Sequence, residues 1–325
     1  MTSAKSKSIK GIIFVVLASM CYGITPILSN TALKGGLPAD FLARFPGFPR
    51  VMLLDPANAM PNESVVGFGM AIACVLSLLA CLVRGGSLKV SGRQALELSL
   101  FGGGGFTATM LLISYAYLSI PAGMTIVLNF TYPLIVAVIS ALFFKDKLRP
   151  LGLLALALAI AGVALISGAA GSGGAALGTD PALGIPLALL SGLAYAVYFL
   201  AGRHASYRDL ETSCANVYIT GSAALICFAV AIAARRFRLP PNWFIWLVLL
   251  SSGILGYMVG LRLLLMGIRL LGSVTASALN TLEPVFASVT SMLVFGELMT
   301  PVKAAGAGLV LIGALLSILA MKRRE

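Results

Sequence analysis

Glu283 lies inside the apolar run ALNTLEPVFASV, with Pro284 directly after it and Asn280 three residues before. An acid at the centre of an apolar helix opposes membrane insertion by about 2.5–3.5 kcal/mol. A proline at such a place removes a backbone hydrogen bond. Burial penalises the charged form of a carboxyl, so Glu283 is a candidate to exchange a proton or to contact a solute. The alternative is a structural acid, held neutral or bonded to the backbone that Pro284 loosens. A second run, LNFTYPLIVAV, places Asn129, Tyr132 and Pro133 in the same order. Each proline frees the carbonyl four residues before it, which belongs to Asn129 or to Asn280. The asparagines either line a polar cavity between opened helix segments or bond to neighbouring helices as glue worth about 0.6–2 kcal/mol.

Other residues invite chemistry less strongly. Arg262 is a candidate counter-ion for Glu283, about 9 Å deep at the helical rise per residue; snorkelling to the headgroups is the favoured alternative. Arg269 marks an interface. Tyr22, Tyr115, Tyr195, Tyr198 and Tyr257 fall within apolar segments, and Tyr22 and Tyr195 are the better candidates for cavity walls. Cys21, Cys74, Cys81, Cys214 and Cys227 show neither metal-ligand spacing nor a disulfide framework and read as soft packing residues. His204, beside Arg203 in a polar connection, reads as a solvated histidine. The GGGG run at 102–105 lacks the Lys–Ser/Thr pair of a phosphate loop, so it reads as a place of close packing or bending.

These residues sit in a chain made for lipid. Of 325 residues 59% are hydrophobic and 10% charged, and the mean hydropathy is +1.00. Soluble domains carry about 25% charge. The net charge of +12 is scattered in short clusters with no aromatic-interleaved basic face, which argues against nucleic acid as a partner. The basic start MTSAKSKSIK precedes a run long enough to span, without a small-residue cleavage site. Segments of about 20 apolar residues number ten: 10–33, 64–83, 95–118, 121–144, 150–169, 183–202, 213–234, 243–266, 272–295 and 302–321. Placing both termini in the cytoplasm puts 15 Lys and Arg on the inner side and 7 on the outer. This is the expected bias, with the outer run RRFR as an exception. The outer connection 34–63 is long and proline-rich, and reads as a solvated loop or an inserted lid. Its NES sequon at Asn62 matters only in a glycosylating host.

A shift of 151 positions lays LNFTYPLIVAVISALFFKDKLRP over LNTLEPVFASVTSMLVFGELMTP without a gap, and 11 of 39 positions from Leu128 to Ile166 are identical. Asn129 meets Asn280, Tyr132 meets Glu283, and Pro133 meets Pro284. Tyr22 meets Tyr195 at a different offset. Each half holds five spans, an odd number, so the second half enters the membrane from the opposite side. The expected fold is an all-α membrane protein of ten transmembrane helices in two inverted five-helix repeats, residues 1–170 and 171–325. Inverted repeats with broken helices at the midplane are a recurrent transporter plan.

Duplicated halves, each ending in a P…F…[DE]…P…G run, resemble the EamA type of the drug/metabolite transporter superfamily. LEPVFASVTSMLVFGELMTPVKAAGAGLVLIGALL is similar to that family's second repeat. The resemblance implies ten helices around a central cavity and transport of small organic solutes, often outward. The expectation is a secondary-active exporter in the inner or plasma membrane, working by alternating access, with proton coupling through Glu283. Asn129, Tyr132, Asn280 and Glu283 are expected to line one pocket, with Tyr22 and Tyr195 on facing walls and Arg262 as a further contact. The partners expected are a small-molecule substrate, membrane lipid and protons, in a monomer or homodimer. No cofactor and no enzyme activity are expected, because no nucleotide-binding sequence, paired carboxylates, His/Cys metal set or Ser–His pair is present. A nucleotide-sugar exchanger, which should show a basic cavity, and a channel or scaffold are the alternatives.

Overall fold

The computed structural model describes residues 2–39, 42, 49–145, 150–167, 180–295 and 300–322. Among them the chain is helical, with ten crossings. They are α1 (Thr2–Lys34), α2 (Asn62–Val83), α3 (Gly92–Ser119), α4a (Ala122–Asn129) with α4b (Tyr132–Phe144), and α5 (Pro150–Ile166). The second half follows with α6 (Pro181–His204), α7 (Thr212–Ala233), α8 (Trp243–Leu271), α9a (Ser273–Asn280) with α9b (Glu283–Phe295), and α10 (Pro301–Lys322). Consecutive crossings alternate in direction. The connections between α1 and α2 and between α5 and α6 therefore share one face, called here the strap face. Both termini share the other, the terminal face.

The packing shows the inverted symmetry directly. α2 packs on α7 and α5 on α10, each helix against its own repeat mate. α1 packs on α8 as α6 packs on α3, and α1 on α9b as α6 on α4a and α4b. No half folds against itself alone; every major seam joins the two repeats. The α5–α10 seam is tight because Gly162 and Gly306 expose backbone: a Cβ on Gly162 would stand 2.6 Å from the Gly306 oxygen. Leucines and phenylalanines such as Leu142, Phe143, Leu225 and Leu293 stay more than two-thirds exposed. That is the outer surface of a protein solvated by hydrocarbon.

Two local breaks recur in both repeats. α4 and α9 are interrupted and resume one residue before their prolines. The breaks at 130–131 and 281–282 are bridged by short turns from Thr131 N to Leu128 O and from Leu282 N to Leu279 O. α3 and α8 each contain a π-helical stretch, Leu98–Gly104 and Gly253–Gly260, a form common at functional bends. The first includes part of the GGGG run. A Cβ on Gly103 would stand 2.0 Å from Ser222 Oγ of α7, so the run serves close packing.

The structure corrects three readings. The described part of the 34–63 connection is docked, not solvated. Met52 and Met60 are buried with Ala32, Val65 and the α8 residues Phe244, Ile245, Val248 and Leu249. Arg238 donates to the carbonyls of Ala57 and Ala59, and Arg236 lies 3.7 Å from Glu63, whose carboxylate also accepts from the Tyr115 hydroxyl at 2.7 Å. The anomalous RRFR run is thus a clamp on this strap. Cys81 and Cys214, which read as packing residues, bring their sulfurs together at disulfide distance between α2 and α7 near the terminal face. His204 is not simply solvated; its ring stacks on Phe144 at 3.6 Å.

Candidate functional site

A cavity of about 380 Å3 opens between α1, α3, α4, α5, α6 and α9. Its lining residues lie at the middle of their helices or in the halves nearest the strap face, so the cavity reaches toward that face. Tyr22 and Pro26 come from α1, Phe106 and Tyr117 from α3, Asn129 from α4a, Tyr195 from α6, and Glu283 with Ser288 from α9b. The breaks at Pro133 and Pro284 deliver Asn129 to the end of α4a and Glu283 to the start of α9b. Loosened backbone is not tolerated against lipid, and both breaks lie inside the protein. The Asn129 carbonyl meets Gly192 of α6, where a Cβ would stand 2.8 Å away. Among the described residues, no lysine, arginine or histidine lines the cavity.

Of the sequence candidates, the structure brings Tyr22, Asn129, Tyr195 and Glu283 together on the cavity wall. Asn280 and Tyr132 are fully buried and stand on its terminal side. There the Asn280 amide faces the hydroxyls of Tyr132 at 3.1 Å and Tyr195 at 3.3 Å, and Glu283 Oε2 at 3.4 Å. Ser19 Oγ of α1 donates to Asn280 Oδ1 at 3.3 Å. The Tyr132 and Tyr195 rings lie 4.6 Å apart, and Phe199 stacks on Tyr132 at 5.3 Å. These side chains close the protein between the cavity and the terminal face.

Arg262 is elsewhere, a correction to its place among the pocket residues. Its guanidinium lies 3.6 Å from Glu211 and donates to Thr212 Oγ1 at 3.3 Å. Burial pushes the Glu211 carboxyl up, but donors on Ser213 and Cys214 and the Arg262 charge outweigh it and hold it below the usual range. Arg269 folds back onto the carbonyls of Tyr207 and Leu210. Neither arginine approaches Glu283, since both have partners in the connection before α7. Sequence reasoning missed Tyr117, Phe106 and Ser288 on the wall, and Glu63 under the strap. Tyr117 lies in a span like the tyrosines that were singled out. Glu63 was legible as an acid at the start of an apolar run. Nothing local marks Phe106 or Ser288.

The model of the EamA-like transporter family matches residues 52–168 and again 182–319. The threonine/homoserine exporter RhtA of Escherichia coli (strain K12) is 26% identical over 242 residues, covering 73% of this chain and 76% of that protein. Its counterpart in Salmonella typhimurium (strain SL1344) is 27% identical over 220 residues, covering 66% and 68%. One solved crystal structure, 16% identical, superposes with a TM-score of 0.73 over 98% of this chain and 99% of its own.

Proposed function

The chain belongs to the EamA-like transporter family, and from that premise we propose that it is a proton-coupled secondary exporter of small amine-bearing metabolites of the amino-acid class. It is a multi-pass protein of the cell membrane. The observation that carries the reading is Glu283, an acid on the wall of a cavity with no basic side chain among the described residues. A buried carboxylate without a cationic partner is costly. Either a proton or a solute ammonium relieves that cost, and one carboxylate holds one of them at a time. A proton taken up at the strap face and released at the terminal face is thereby exchanged for an ammonium moving the other way.

Tyr22, Tyr117 and Tyr195 supply aromatic faces for the cation. Asn129 and Ser288 supply donors and acceptors for the rest of the solute. The relatives named as threonine/homoserine exporters support an amino acid bearing a hydroxyl. The cavity does not favour a nucleotide sugar, whose diphosphate would need the cations that this wall lacks.

The test uses purified protein in liposomes with an imposed pH gradient and labelled threonine or homoserine. Glu283→Gln keeps the shape of the side chain and removes its charge. Loss of a charge-assisted contact should weaken apparent affinity about ten- to hundred-fold and abolish the dependence on the gradient. Wild-type affinity with a wild-type pH profile would sink the reading.

A further inference from the structure

The closed side of the protein is latched by one amide that joins three helices, whereas the amide of its repeat mate is bonded to α6 alone. Asn280 joins α1 through Ser19, α4b through Tyr132 and α6 through Tyr195. Its two amide hydrogens face three acceptors, Tyr132, Tyr195 and Glu283 Oε2, so they serve two at a time. The repeat assigns each part a counterpart: Asn129 for Asn280, Glu283 for Tyr132, and Tyr22 for Tyr195. Asn129 borders the open cavity, where its amide donates to Ser191 Oγ at 2.8 Å. The Tyr22 hydroxyl is buried and has no hydrogen-bond partner among the described residues. The Tyr195 hydroxyl, its counterpart, has Asn280. A further pair shows the same asymmetry. Ser291 lines the cavity, whereas its counterpart Ser140 is fully buried with its hydroxyl unpartnered.

We infer that Asn129 and Asn280 are alternating latches. When the cavity opens to the terminal face, the Asn129 amide is held by the Tyr22 hydroxyl and the Glu283 carboxyl, and Asn280 lets go. Buried unpaired hydroxyls are costly, and this exchange pairs the one on Tyr22 and wets the one on Ser140. The latch on the strap side thus shares its carboxyl with the solute site. The inference rests on the exporter reading of the preceding subsection, working by the alternating access expected from the inverted repeats.

Two single cysteines report the two states. Ser288→Cys lies on the present cavity wall. Ala137→Cys, at the repeat match of Ser288, is fully buried now and faces water only in the mirror state. Each is labelled with a membrane-impermeant thiol reagent in right-side-out and inverted vesicles, and the modified peptide is quantified so that native cysteines do not interfere. Tyr22→Phe removes a hydroxyl that is idle here and bonded in the mirror state. One ordinary hydrogen bond is worth a population change of about five-fold. Tyr22→Phe should therefore slow Ala137→Cys labelling about five-fold without slowing Ser288→Cys. Tyr195→Phe should do the reverse, speeding Ala137→Cys. If both reporters label in the parent protein and Tyr22→Phe leaves the Ala137→Cys rate unchanged, or both Phe variants shift it the same way, the latch is overturned while transport by alternation stands. If Ala137→Cys never labels from the terminal face in any variant, alternation and the latch fall together.

Discussion

Asn129 and Asn280 occupy matched positions and do unequal work in this state. Asn280 is fully buried, with two tyrosine hydroxyls and a serine hydroxyl on its amide. Leucine there strands the Tyr195 hydroxyl away from water, which costs about 1–3 kcal/mol, while Tyr132 and Ser19 keep their bonds to the Ser277 and Val15 carbonyls. Asn129 faces the cavity, where water can replace its bond to Ser191. Asn280→Leu should lower the yield and melting temperature of detergent-purified protein. Asn129→Leu should keep both near wild type and alter apparent solute affinity instead. Equal losses of stability from the two would show that the cavity does not reach Asn129. Both asparagines and the acid were visible in the sequence because each interrupts an apolar run beside a proline. The division of labour was not, since the repeat gives the two positions the same local pattern.

At the scale of elements, the strap between α1 and α2 is fixed by side chains far along the chain. Arg238 holds the Ala57 and Ala59 carbonyls, and Arg236 and Tyr115 meet Glu63. Arg238→Ala removes two charge-assisted bonds at an exposed site. Limited proteolysis of membranes should then cut within the strap about five-fold faster, with α2 and α7 intact. Unchanged cleavage would place the hold in the Met52 and Met60 contacts alone. The sequence marked this connection as unusual by its length and its prolines. It carried no sign of docking, because the residues that receive Met52 and Met60 lie on α8, nearly two hundred positions away.

The whole molecule turns on which face is the cytoplasmic one. The charge count favours the terminal face, 15 Lys and Arg against 7. An alkaline-phosphatase fusion at the C-terminus should then be inactive, and an active one would reverse the orientation. Cys81 and Cys214 provide a second measurement, because they meet near the terminal face. Cytosolic thiols are kept reduced, so alkylation in intact cells should find both as thiols. A bond that persists in unstressed cells would place that face on the oxidising side.

Taken alone, the sequence determined the number of crossings, the inverted repeat and the family, because each is written in local signals: apolar length, proline breaks and a gapless internal match. It also singled out Glu283, since an acid in hydrocarbon needs compensation wherever its neighbours are. The tertiary structure alone decided the partners. Arg262 belongs to Glu211, Cys81 meets Cys214 across 133 positions, and Asn280 meets Ser19 across 261. Helix neighbours are set by the seams between repeats, and apolar periodicity does not encode which seam a face will join. The structure also decided which latch is closed. Two repeats of nearly the same pattern cannot both be open to the same face, so any single conformation breaks the symmetry that the sequence preserves.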